Sequence, residues 1–268
     1  MEIARSLDNK SSGARVYAIT SGKGGVGKTS IAINLSIVLN KAGLKVLLID
    51  SDMGLANIDL MTGVSALHTI EEVIEGKASI FDALAEGPEG LTILSASSGL
   101  GRINAMGEER AKKFRNELLK LENAFDMIFI DTGAGISANV VDFIFMADEV
   151  MVIMTSEPTA FADAYAIVKV VTMEKPSMDV GVVINMSRSE KESRIIFDRF
   201  NEIVKKFLEK EIEYHGSIVI DKAVADAVMR QIPLALYAGK SSSMQSIRKI
   251  ARNMLGIENT KQRTIFNR

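Results

Sequence analysis

Eight residues, Gly22-Lys23-Gly24-Gly25-Val26-Gly27-Lys28-Thr29, follow a G-x-x-x-x-G-K-[ST] spacing whose chemistry is phosphate binding. Glycines lack a Cβ, so Gly22, Gly24, Gly25 and Gly27 let the backbone amides curl close around phosphate oxygens. Val26 and Ser30 complete the stretch that would touch a nucleotide. Lys28 would reach the β- and γ-phosphates, and the Thr29 hydroxyl would ligate Mg²⁺. Behind the loop, Ile31 to Leu39 reads as a helix whose N-terminus adds partial positive charge.

Phosphoryl transfer also needs carboxylates that hold the metal and place the attacking water. Asp131 closes the apolar run Asp126-Met127-Ile128-Phe129-Ile130, where an acid can help hold Mg²⁺ at a strand's end. The Gly133–Gly135 segment just after it would offer Gly135 and its neighbours as amides that sense a γ-phosphate. Asp50 and Asp52 form an Asp-x-Asp pair after Lys45-Val46-Leu47-Leu48-Ile49. Read as residues alone, they are either metal and water ligands or two loop acids that cap backbone. Asn185 ends another apolar run, and its amide has the donor and acceptor that an adenine edge requires. A turn role for it stays open. His68 and His215 stand isolated in the sequence and are assigned no chemistry.

These groups need strands to carry them. Val16–Thr20, Lys45–Asp50, Leu91–Ser95, Asp126–Asp131, Glu149–Thr155, Val180–Asn185 and a weaker Glu213–Ile218 read as strands. Near-continuous apolar runs of this kind suit parallel strands covered on both faces. Helices are expected over Glu108–Glu122, Ser137–Met146, Thr159–Met173, Lys191–Leu208, Asp221–Arg230 and an amphipathic Ser241–Leu255. Shorter helical pieces are expected at Thr69–Ile74 and Ser79–Ala85, and an extended piece at Ile232–Leu234. The alternation implies a doubly wound, mostly parallel α/β sheet with helices on both faces. Ligands in such sheets bind beyond the carboxyl ends of the strands, where every motif singled out above falls.

Residues 1–15 read as a loose lead-in, 16–256 as one phosphate-loop domain and 257–268 as a tail with weak amphipathic character. The chain of 268 residues is 47% hydrophobic and carries a net charge of −2, so it is globular and lacks the basic field a nucleic-acid partner would need. Cysteine is absent, which excludes disulfides and Cys-ligated metals. No run approaches the ~20 apolar residues that span a bilayer, and no secretory h-region opens the chain. A cytoplasmic protein is expected.

The extra lysine in Lys23-Gly24-Gly25-Val26-Gly27-Lys28-Thr29 resembles the deviant phosphate loop of the MinD/ParA class of ATPases. The resemblance implies that Lys23 reaches across a dimer interface to the partner's nucleotide, so that ATP joins a homodimer. It also implies that Asp52 positions the hydrolytic water, that Asp50 lies near the metal and that Asn185 contacts the base. Asp52–Asp59, Asp131–Ser137, Ser156–Thr159 with Asp163–Ala166, and Leu94–Leu100 are further similar to the flagellar-number regulators of the FlhG (FleN) family. That family implies control of flagellar number or placement with the GTPase FlhF, flagellar switch proteins or a flagellar transcription activator. Two features depart from it: residues 1–15 lack an Asp-Gln-Ala tripeptide, and Ile257–Arg268 offers few apolar residues beside Lys261, Arg263 and Arg268. Only weak contact with the inner face of the cell membrane is therefore expected. MinD-like division-site placement and ParA-like chromosome or plasmid partitioning remain the alternatives. The absence of cysteine sets aside a nitrogenase-type iron protein.

Overall fold

A computed structural model describes residues 13–52, 57–95 and 107–257. Most of the lead-in, the Met53–Ala56 connection, residues 96–106 and the tail beyond Ile257 lie outside the described residues. The strands are β1 Arg15–Ser21, β2 Val46–Asp50, β3 Leu84–Glu86, β4 Thr92–Ser95, β5 Met127–Ala134, β6 Glu149–Met154, β7 Asp179–Ser187 and β8 Glu213–Val219. The helices are α1 Lys28–Lys41, α2 Asn57–Thr62, α3 Ile70–Ile74, α4 Gly107–Leu119, α5 Ala138–Ile144, α6 Pro158–Glu174, α7 Glu190–Leu208, α8 Lys222–Met229, α9 Leu234–Tyr237 and α10 Ser242–Met254.

All strands join one sheet in the order β3-β4-β2-β5-β1-β6-β7-β8. Every pairing is parallel except β3 with β4. β2 (VLLID) and β6 (EVMVIM) are buried at every position, as strands covered on both faces must be. The chain leaves β1 on one side toward β2 and returns to it from the other at β6. β1 therefore marks the switch point, and its carboxyl end opens directly into the phosphate loop.

α1 is buried from Ile31 to Leu39 because it lies under the sheet and is covered in turn by α9 and α10. A helix apolar around most of its circumference needs such cover. The opposite face divides into two clusters. One packs α5, α6 and α7 against β6 and β7; the other packs α3 and α4 against β2, β4 and β5. Phe114 of α4 is fully buried there and meets Phe143 edge-on, with ring centroids 5.9 Å apart. Phe114→Ala is expected to cost about 3–5 kcal/mol in chemical denaturation, through lost burial and the cavity left behind.

Two short segments differ from the sequence expectation. Ser79–Ala83 forms turns rather than a helix, and the chain runs on into β3. A tight reversal through Gly87–Gly90 returns it antiparallel to β4, where Gly87 N donates to Leu91 O at 2.6 Å. The expected extended piece at Ile232–Leu234 gives way at Leu234 to α9, held by the Ala235 amide donating to Asn34 Oδ1 of α1 at 2.7 Å.

Candidate functional site

The phosphate loop is braced on two sides by side chains that only its glycines can admit. Gly27 has φ +87°, and a Cβ there would lie 2.5 Å from the Asn185 amide nitrogen. That nitrogen donates to the Val26 carbonyl at 2.7 Å. Asn185 at the end of β7 therefore anchors the loop, a role its sequence position did not suggest. A Cβ at Gly22 would lie 2.4 Å from Asp163 backbone and side-chain atoms in α6. Gly22→Ala must push loop and helix apart. It is expected to lower stability by about 1–3 kcal/mol, read by thermal or denaturant unfolding, and to weaken nucleotide binding together with it.

Lys28, the first residue of α1, folds inward. Its Nζ donates to Asp131 Oδ1 at 2.7 Å, and both side chains are buried. β5 brings Asp131 to the carboxyl end of the sheet, where it stands in register with Ile19 of β1 and Asp50 of β2. Burial pushes the Asp131 carboxyl up, and the Lys28 and Thr29 side chains beside it pull it back down. Asp131 Oδ2 is buried without a hydrogen-bond partner. An orphaned oxygen of this kind costs roughly 1–3 kcal/mol, so it calls for a cation or water.

Asp50 is also buried. Its oxygens accept from the Asp52 amide at 3.0 Å and the Ile58 amide of α2 at 3.2 Å. Burial and the facing Asp131 push its carboxyl up to about 8, although both amides act the other way. The two acids thus repel one another at a site where a divalent cation would suit both. Asp52 acts electrostatically on both and lines an open groove of about 910 Å³.

The same groove is lined by Gly24 to Ile31, Asn185 and the Ile218–Asp221 end of β8. Its far wall is apolar, formed by Met61, Met186, Val224, Val228, Met229 and Ile247. This wall was missed in the sequence, because α8 reads there as an ordinary amphipathic helix. It shows only in the fold, where Val228 and Met229 are exposed along the groove. A phosphate cradle opening into an apolar slot is shaped for a nucleotide, with the base against the slot.

Lys23 points elsewhere. Its Nζ pairs with Glu157 at 2.9 Å on the protein surface, both side chains half-exposed. The carboxylate raises the lysine's affinity for its proton, so Lys23 stays charged. Glu157 stands between β6 and α6, immediately before the helix begins at Pro158. Gly135 follows β5, and its amide donates to the Ser21 carbonyl at 2.8 Å, which lays the Gly133–Gly135 segment beside the loop.

The donor set fits a hard cation: Thr29 hydroxyl, Asp50 and Asp131 supply oxygen, as Mg²⁺ prefers. The glycine cradle with the buried Lys28 fits a polyphosphate. No described helix is long and apolar enough to cross a membrane.

Residues 14–180 match the family model described as an AAA domain. The antiactivator FleN of Pseudomonas aeruginosa is 35% identical over 217 residues, covering 81% of this chain and 78% of FleN. The flagellum site-determining protein YlxH of Helicobacter pylori is 34% identical over 247 residues, covering 91% and 83% of the two chains. Among solved structures, the septum site-determining protein MinD of Pyrococcus horikoshii, complexed with Mg-ADP, superposes with a TM-score of 0.70 at 25% identity. That match covers 90% of this chain and 96% of MinD. Motif, sheet order and relatives agree: the chain belongs to the MinD/ParA class of phosphate-loop ATPases, with the flagellar proteins FleN and YlxH among its relatives.

Proposed function

We propose that the protein is a Mg²⁺-dependent ATPase switch that dimerises on ATP and controls flagellar number or placement. The observation that carries the dimeric reading is the division of labour between two lysines. Lys28 is buried on Asp131 in its own site, whereas Lys23 of the same loop lies on the surface, paired with Glu157. A half-exposed ion pair is weak and easily exchanged. A second copy docked face to face would offer Lys23 a stronger anion in the partner's nucleotide.

Bound ATP and Mg²⁺ would supply the phosphoanhydride and the charge neutralisation that its cleavage requires. The Gly22–Ser30 backbone and Lys28 would hold the phosphates, while Thr29, Asp50 and Asp131 would hold the metal. Asp52, at the groove's open side, would orient the attacking water. Asn185 keeps the loop in shape from behind and leaves its carbonyl oxygen for the base. Loss of the γ-phosphate would release the Gly133–Gly135 segment and with it the dimer face, a recognised way of turning hydrolysis into altered surfaces.

The flagellar output rests on relatives named for it, FleN as an antiactivator and YlxH as a flagellum site-determining protein. A transcription activator or a flagellar assembly protein such as FlhF is the corresponding partner, with weak membrane-surface contact. Light scattering behind size exclusion tests the switch. ATP with Mg²⁺ should double the mass from the 29.1 kDa chain, and ADP should not. An unchanged mass with ATP bound would refute the role given to Lys23.

A further inference from the structure

The end of the sheet opposite the phosphate loop gathers a second set of ionisable side chains. β1, β6 and β8 begin there with Arg15, Glu149 and Glu213, and His215 follows in β8. His215, isolated in the sequence, is not isolated in space. Tyr214 pairs with Val182 of β7 and Gly216 with Val183, so His215 is the extra residue of a β-bulge, a device that re-aims a side chain. Its ring lies across β7 over Gly181, where a Cβ would sit 1.9 Å from Nε2. Nε2 thereby reaches Glu149 Oε1 on β6, two strands away, with both side chains buried. A bulge and a glycine together bring one buried imidazole to one buried carboxylate.

Glu213 completes the group. Glu149, Glu213 and His215 each offer a ligand atom, all within 4.8 Å of one another. Glu213 is exposed, which leaves a path from solvent. The other oxygen of Glu149 accepts from Arg15 at 2.6 Å, an outer contact that fixes the carboxylate and leaves Oε1 facing the imidazole. The Asn253 amide of α10 donates to the His215 carbonyl at 3.0 Å and holds the bulge in place. The local charge is unbalanced. Carboxylates of Asp148, Glu149 and Glu213 all act on the Tyr17 hydroxyl and raise its pKa together with burial, against the single guanidinium of Arg15.

We propose that Glu149, Glu213 and His215 form a binding site for a divalent transition-metal ion of the zinc class, separate from the nucleotide site. One imidazole nitrogen and two carboxylate oxygens are a donor set that suits Zn²⁺, with water in the fourth position. The ion ties β6 to β8 across β7 and so stiffens the sheet's outer half.

The test uses the full chain, stripped with chelator and then saturated with Mg-ADP so that the phosphate site is filled. Zinc chloride is titrated calorimetrically and thermal unfolding is followed in parallel, for wild type, Glu213→Gln and His215→Gln. Glu213 is exposed, so its variant keeps the fold even where loss of the buried His215 does not. One zinc per chain, a raised Tm and at least about tenfold weaker binding in Glu213→Gln are expected, of the size seen for perturbed metal sites. Binding equal in wild type and Glu213→Gln would overturn the proposal. So would the absence of zinc binding in wild type, which would leave Arg15, Glu149 and His215 as a buried ion-pair network only.

Discussion

Lys28→Ala is expected to lower nucleotide affinity by about two orders of magnitude or more, and with it to abolish ATP-dependent dimerisation. The estimate comes from the lysine's position. It is buried at the base of the groove, where a charge-assisted contact to phosphate is about twice as strong as a neutral one and is little screened. Its loss has a second cost. Asp131 would keep a fully buried carboxyl that has lost its only charged partner, with Thr29 alone beside it. Burial already pushes that carboxyl up, and without the lysine its charged form loses its main support, which weakens it as a Mg²⁺ ligand. Fluorescent-nucleotide titration with and without Mg²⁺ measures both effects. Binding within tenfold of wild type would remove Lys28 from the phosphate site.

Asp52→Ala is expected to give the opposite phenotype: ATP binding near the wild-type level, turnover reduced roughly 10²–10⁴-fold, and a dimer that persists. Positioned acid–base groups contribute that range. Asp52 lines the groove, whereas the ion pair of the phosphate loop's Lys28 is made to Asp131 and stays in place in the variant. The Asp52 backbone amide donates to Asp50, and alanine keeps it. Phosphate release and light scattering on the same sample read the two consequences. A variant that hydrolyses ATP as wild type does would assign the water to another residue.

Beside the phosphate loop, read from its glycine and lysine spacing, the acids that were legible in sequence share one property: Asp50 and Asp131 sit on strands buried from both sides. Runs such as Val46–Asp50 and Met127–Asp131 contain little but apolar residues until an acid, so strand and functional group are read together; the boundary agrees at Asp50, whereas β5 runs on past Asp131 to Ala134. Ser79–Ala85 lacked that contrast. Ile80 and Ala83 are buried there at a spacing that a turn of helix and a tight reversal satisfy equally, and the pairing of β3 with β4 decided between them. Contacts made across the fold had no local signature at all. The Asn185 hold on Val26 spans 159 positions and the meeting of His215 with Glu149 spans 66. Glycines at 27 and 181 were the trace these contacts left in the sequence. Each marks a place where another residue's side chain needs the room.

The short antiparallel β3 also bears on how the protein behaves when crowded. Without it, β4 (Thr-Ile-Leu-Ser) would end the sheet with a bare row of amides and carbonyls on an apolar strand, the kind of margin on which chains stack into fibrils. Three residues ending in Glu86, followed at once by Gly87 and Pro88, occupy that row with a segment too brief and too charged to recruit another copy. With this border covered, the sheet is closed to edge-to-edge self-recognition on that side.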